Sequence, residues 1–174
     1  MDKLVSNAIK MDLSDTDIKK IAPKAKVMLY EDLEHCDTIF DAIGKTNCMA
    51  LLFPIENDTT GHWIMVLYHP NMKLVEHYDS YGLSPVQELG YTQNQYVKEK
   101  LLNNLYKKAL FDGYHVVYNE TRLQVLKQGV NDCGRYVACC AIFQHLTNQK
   151  FCKLFIGQKL TPDTLVTLLT LLMT

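Results

Sequence analysis

The sequence predicts a single α+β domain, with strands clustered centrally and helices before, between and after them. Three observations carry this. Segments 62–69 and 73–79 are rich in β-branched and aromatic residues and flank Pro70-Asn71, which reads as a hairpin. Segment 92–111 has helical apolar spacing at Tyr96, Leu101, Leu105 and Leu110. The length, 174 residues, suits one domain with one sizeable core.

From the N-terminus, residues 14–22 (SDTDIKKIA) form a short helix with Ser14 as N-cap, stopped by Pro23. Residues 26–30 read as a strand, and 31–44 (EDLEHCDTIFDAIG) as one helix ending near Gly44. The apolar run CMALLFPI, 48–55, is bounded by turn residues and reads as a buried strand. After the hairpin, Gly113 stops the 92–111 helix and 114–119 is again a strand. Residues 133–146 form a mostly buried helix, and 161–173 a last one with Thr161 as N-cap and Pro162 at its first position. No repeat, low-complexity tract or linker interrupts this order. The expectation is one domain over 1–174: an N-terminal helical portion 1–44, a core 45–147 and C-terminal helices 148–174.

About half of the residues are apolar (48%), 21% are charged, and the net charge is -1. That balance is ordinary for a soluble globular protein and shows no basic track for nucleic acid or an anionic membrane. The opening MDKLVSNAIK is too polar for a signal peptide. The longest apolar stretch, LVTLLTLLM, is about half of the ~20 residues that span a bilayer. A soluble chain, not secreted, is expected. Six cysteines without a C-x-x-C pair are expected to be reduced thiols. Cys139, Cys140, His145 and Cys152 have no zinc-site spacing, so no metal is expected.

If the hairpin centres on Pro70-Asn71, cross-strand partners have position numbers summing to 141, and His62 faces Asp79. Directly opposed residues share a face, with Cβ atoms ~4.5–5.5 Å apart. A carboxylate on one ring nitrogen fixes the imidazole tautomer and leaves the other nitrogen as a base. Pro70 forbids a type I′ turn, so a longer loop is expected. A slip by one residue offers Tyr78 or Ser80 instead, and Glu76 and His77 compete nearby. The plainer reading is two polar residues at a sheet end.

In QGVNDCGRYV, 128–137, Asn131 or Asp132 can cap the helix, which sets Cys133 in its first turn. Free N–H groups and the macrodipole favour a thiolate there, and the thiolate is the nucleophile. Gly134 removes bulk beside the sulfur although it costs the helix ~1 kcal/mol relative to Ala. The turn at Gly129 folds the Gln128 amide toward the sulfur, where with the Cys133 N–H it supplies two donors to an oxyanion. For Cys133 alone, a buried structural thiol is the commoner fate. Cys139 and Cys140 are expected in the core, and Cys36, Cys48 and Cys152 have no nearby base.

The ordered set Gly-His-Trp (61–63), Asp-Ser-Tyr-Gly (79–82), Gln128 and Asp-Cys-Gly (132–134) resembles the adenain-type cysteine proteases of clan CE. These include the adenovirus maturation protease and the SUMO and ubiquitin-like-protein proteases. The resemblance covers roughly residues 45–147. QGVNDCGRYV and the closing LTPDTLVTLLTLL look most like the versions in mavirus-like virophages and Maverick/Polinton elements.

The resemblance implies an adenain-like fold, a central mixed sheet with flanking helices and the nucleophile at a helix N-terminus. It implies Cys133 as nucleophile, His62 as general base, Asp79 as its orienting partner and Gln128 in the oxyanion hole. Trp63 would wall a narrow groove, open beside Gly134, that favours glycine before the scissile bond. Gln128 stands five residues before Cys133, a shorter spacing than in adenain itself.

The expected function is a viral endopeptidase that cuts capsid precursors during virion maturation, in the host cytoplasm and the virion. The alternatives are a SUMO or ubiquitin deconjugase, an acetyl-CoA-dependent acyltransferase, and a catalytically dead interaction module. No cofactor is expected, a peptide activator aside. Protein substrates are expected as partners, without nucleic acid or membrane, and the chain is expected to be a monomer.

Overall fold

The computed structural model describes residues 3–57, 60–90 and 100–173. Five strands form one mixed sheet in the order β1-β2-β3-β4-β5: β1 Lys26–Leu29, β2 Cys48–Asn57, β3 Thr60–His69, β4 Leu74–Tyr78 and β5 His115–Tyr118. β1 is parallel to β2 and β5 to β4, while β2–β3 and β3–β4 are antiparallel. This is the α+β mixed sheet that the sequence predicts.

The central strands are apolar at nearly every position because both faces of the sheet are covered. Cys48, Ala50, Leu52, Trp63, Met65 and Leu67 face one core; Met49, Leu51, Phe53, Ile64 and Val66 face the other. The first core lies beneath α2 (Asp15–Ile21), α6 (Cys133–Ile142), α7 (Asn148–Lys153) and α8 (Pro162–Leu171). The second lies beneath a 3₁₀ segment (Tyr30–His35), α3 (Ile39–Ile43) and α5 (Leu101–Phe111). The N-terminal α1 (Lys3–Ala8) is tied to α6 and α8 by Arg135. Its buried guanidinium donates to the Ala8 carbonyl at 3.2 and 3.3 Å and to Thr170 Oγ1 at 2.9 Å.

The predicted helix over 31–44 is broken in two. The Asp32 carboxylate accepts from the Leu29 N–H, which fixes the 3₁₀ turn. Thr38 and Asp41 then form a capping box that starts α3 afresh, and Gly44, at φ +71°, follows its last residue. In the 92–111 helix, residues 91–99 lie outside the described residues, and Tyr96 with them. α5 buries Leu102, Leu105, Tyr106 and Ala109, so its inner face is turned from the predicted one and Leu110 is exposed. The short α4 (Pro85–Leu89) was not anticipated; its Ser84 cap is visible only beside Gln87.

Candidate active site

The site begins at a glycine. A Cβ on Gly61 would lie 1.8 Å from the Phe53 carbonyl oxygen, so only glycine allows β2 and β3 to close there. His62 follows, paired with Phe53 on β2 and beyond the last β3–β4 pair, Met65 with Tyr78.

The observed β3–β4 partners sum to 143 rather than 141, because a 3₁₀ turn at Pro70–Met72 and Lys73 at φ +46° lengthen the loop. The predicted direct opposition of His62 and Asp79 is therefore corrected. A shift of two keeps every side chain on its face, so the two meet diagonally. Asp79, just past the end of β4, places Oδ1 in hydrogen bond with His62 Nε2. Under this register position 62 faces position 81, and the Tyr81 ring stacks on His62 with centroids 5.0 Å apart.

Asp79 is fully buried and held from several sides. Its Oδ2 accepts from the Leu83 N–H at 2.7 Å, and Asn119 grips its backbone at both N–H and C=O. Burial opposes the charge on Asp79, but His62 and the Leu83 N–H outweigh it and hold the carboxyl below its usual range. Burial likewise opposes an imidazolium at His62. Asp79 and Cys133 outweigh it, so the ring holds its proton well above the usual histidine range.

Cys133 is the first residue of α6 and is 8% exposed. Its thiol lies close enough to the His62 ring to favour the ring's charged form, and the same ring is hydrogen-bonded through Nε2 to Asp79. Asp132 stands at the N-cap, as one of the two expected residues, but its side chain makes no cap bond, and the Asn131 side chain donates to Lys10 O. Gly134 is buried and lines neither groove. A Cβ there would meet Leu13 Cβ at 2.9 Å and Trp63 Cδ1 at 3.3 Å, so glycine here admits Leu13 and Trp63 against α6. Trp63 donates from Nε1 to Leu13 O at 3.0 Å and lines a groove of about 500 Å³ with Leu13, Leu29 and Cys133. A second groove of about 370 Å³, lined by His62, Tyr81, Leu83 and Leu126, also ends at Cys133.

Gln128 is exposed and lines neither groove. Gln124 is the glutamine that reaches the second groove, which Asn131 also lines, and spacing from Cys133 did not single it out. It is 1% exposed, accepts from Ser80 Oγ at 2.7 Å and donates from Nε2 to Val130 O at 3.4 Å. The one signal for it was a glutamine inside the apolar run Leu123–Leu126. The nearby competitors are engaged elsewhere. Glu76 Oε2 accepts from the Asn148 N–H and pairs with His69, each at 2.9 Å, and His77 Nδ1 pairs with Tyr106 Oη at 3.0 Å.

Among the described residues, one group of three His, Cys or carboxylate ligand atoms comes together, from His62, Asp79 and Glu88, within 4.8 Å of one another. Within this trio, His62 and Asp79 are hydrogen-bonded to each other. All six cysteines are unpaired. Among the described residues no helix is long and apolar enough to cross a membrane.

No family model matches the chain. The uncharacterized protein V9 of Sputnik virophage is 30% identical over 169 residues, spanning 93% of this chain and 95% of that protein. The chain belongs to the family of virophage protein V9. The V9 relative carries no named activity, so it supports the virophage resemblance without speaking to the mavirus-like protease. Among solved structures, a crystal structure of an ASFV protease has a TM-score of 0.50 at 16% identity, covering 94% of this chain and 68% of that one. This V9-family chain therefore has the fold of that protease. The Ulp1 protease domain, solved in complex with Smt3, the yeast orthologue of SUMO, has a TM-score of 0.43. It is 14% identical and covers 96% of this chain and 80% of that one.

Proposed function

We propose that the chain is a cysteine endopeptidase that cuts viral structural precursors, after glycine, during virion maturation in the host cytoplasm and the virion. The observation that carries this reading is the grouping of Cys133, His62 and Asp79: a thiol at a helix N-terminus, an imidazole close to it, and a buried carboxylate bonded to that ring at Nε2. The grouping sits where two grooves meet, one walled by Trp63.

In this reading the Cys133 sulfur attacks a peptide carbonyl, and a carbon–sulfur bond forms. The carbon–nitrogen bond then breaks as His62 gives its proton to the leaving amine. Water, deprotonated by His62, releases the acyl group and restores the thiol. Asp79 orients the ring and stabilises its charged form. The developing oxyanion is met by the Cys133 N–H and an amide side chain, which we assign to Gln124 in place of the exposed Gln128.

The test is co-expression with candidate capsid precursors, followed by mass spectrometry of new termini, with Cys133→Ala as the control. New termini after glycine that vanish in Cys133→Ala are expected. Full cleavage by Cys133→Ala would end the reading. Rapid turnover of SUMO or ubiquitin conjugates with intact precursors would redirect it to deconjugation.

A further inference from the structure

The helix α4 lays Leu89 against the second core but leaves its other apolar side chain outside. It exposes Val86, at 69%, and its only buried residue is Glu88, at 3%. Turning the helix would bury the valine and free the acid, so something inside holds the carboxylate. Neither Glu88 oxygen has a hydrogen-bond partner among the described residues, and a buried carboxylate short of hydrogen bonds is costly.

What surrounds it is the proposed active site. One Glu88 oxygen lies within 4.8 Å of ligand atoms of both His62 and Asp79. On its other side His77 Nε2 is 3.5 Å away, and Tyr106 fixes the far nitrogen of that ring. Glu88 lines the same groove as His62 and Cys133.

We propose that Glu88 is a positioning residue of this site: a second buried carboxylate that, with Asp79, supports the His62 ring in its charged form opposite Cys133. This rests on the protease reading for its consequence, but not for its measurement. An imidazolium with one carboxylate on its nitrogen and another a few ångströms away is stabilised by both in a water-poor surround. The other groups that face the pair are Cys133 from α6, Tyr81 beyond β4, His77 on β4 and Tyr106 on α5; Asp12 and Arg122 line the groove they share. Burial raises Glu88 above the ordinary carboxyl value; His77 draws it back, Asp79 adds to the rise, and His62 offsets part of it.

The test follows the His62 ring by NMR across pH, its signal assigned by loss in His62→Gln, in the wild type, Glu88→Gln and Glu88→Leu. Removing the charge is expected to lower the His62 midpoint by about one pH unit, a roughly tenfold effect. Glu88→Asp is expected to recover part of it. The alkaline limb of kcat/KM on a cleaved precursor moves down equally while KM stays put. Glu88→Leu fills the space without a charge, so it serves if Glu88→Gln fails to fold. An unmoved His62 midpoint in a folded, neutral variant overturns the proposal. A moved midpoint in a chain that cleaves nothing supports it and sinks the protease reading instead.

Discussion

Asn119 holds Asp79 by both of its peptide groups: Asn119 Oδ1 accepts from the Asp79 N–H at 2.8 Å, and Asn119 Nδ2 donates to the Asp79 carbonyl at 2.7 Å. The acid lies just past the end of β4, where no strand partner fixes its backbone. One amide from the end of β5 does so instead. Asn119→Ala removes both bonds and leaves buried groups unpaired. We expect kcat on a cleaved precursor to fall by up to about 100-fold through misplacement of the His62–Asp79 pair. KM should change little, and Asn119→Asp, which keeps one acceptor, should restore part of the loss. Stopped-flow turnover of the two variants checks this.

In the proposed protease Gln124 and Gln128 compete for the oxyanion role, and Gln124 is the buried one. Gln124→Ala should lower kcat by roughly 100-fold, the usual loss for one oxyanion donor. Gln128→Ala should leave activity within a factor of two or so, as expected for an exposed side chain. The reverse ranking would return the role to Gln128 and imply that the 125–131 loop moves on substrate binding.

Asp132 is fully buried beside Asp163, whose oxygens accept from Tyr136 Oη at 2.9 Å and the Val125 N–H at 3.2 Å. Burial first, then the Asp163 charge, pushes the Asp132 carboxyl up to about 8 from 3.8. Between those values the folded state binds a proton that the unfolded state has released. Stability from this group is therefore present at low pH and lost as pH rises toward 8. Asp132→Asn removes the titration. Its melting temperature should match the wild type near pH 4 and exceed it by several degrees at pH 8, where ~1 kcal/mol moves Tm by about 2–4 °C. Calorimetry at both pH values measures this directly.

Gly61→Ala drives a Cβ into the Phe53 carbonyl, a backbone atom that cannot swing aside. The strands must part beside His62, at a cost in the overpacking range of about 1–3 kcal/mol or above. Urea unfolding should show the lower midpoint, and activity should fall with it.

Local chemistry made much of this molecule legible. Ser14 and Thr161 cap helices at the predicted places because capping is decided within four residues. The runs 48–55 and 62–69 were readable as strands because both faces of the sheet are buried, so no polar position interrupts them. The sharing of one face by His62 and Asp79 was also readable, since a period of two survives a register error of two.

The sequence by itself determined most of the strands and the longer helices, the parity of the hairpin and the residue types of the acid–base row. Only the tertiary structure decided the rest. Which glutamine faces the groove depends on Ser80 and Val130, 44 and six residues away from Gln124. That Glu88 lies beside His62 depends on how α4 packs against α5, and a buried Glu88 beside an exposed Val86 contradicts an amphipathic reading of five residues. The physical reason is one of range. Capping and pleating act between chain neighbours, whereas buried charge is placed by whatever distant groups the fold brings within a few ångströms.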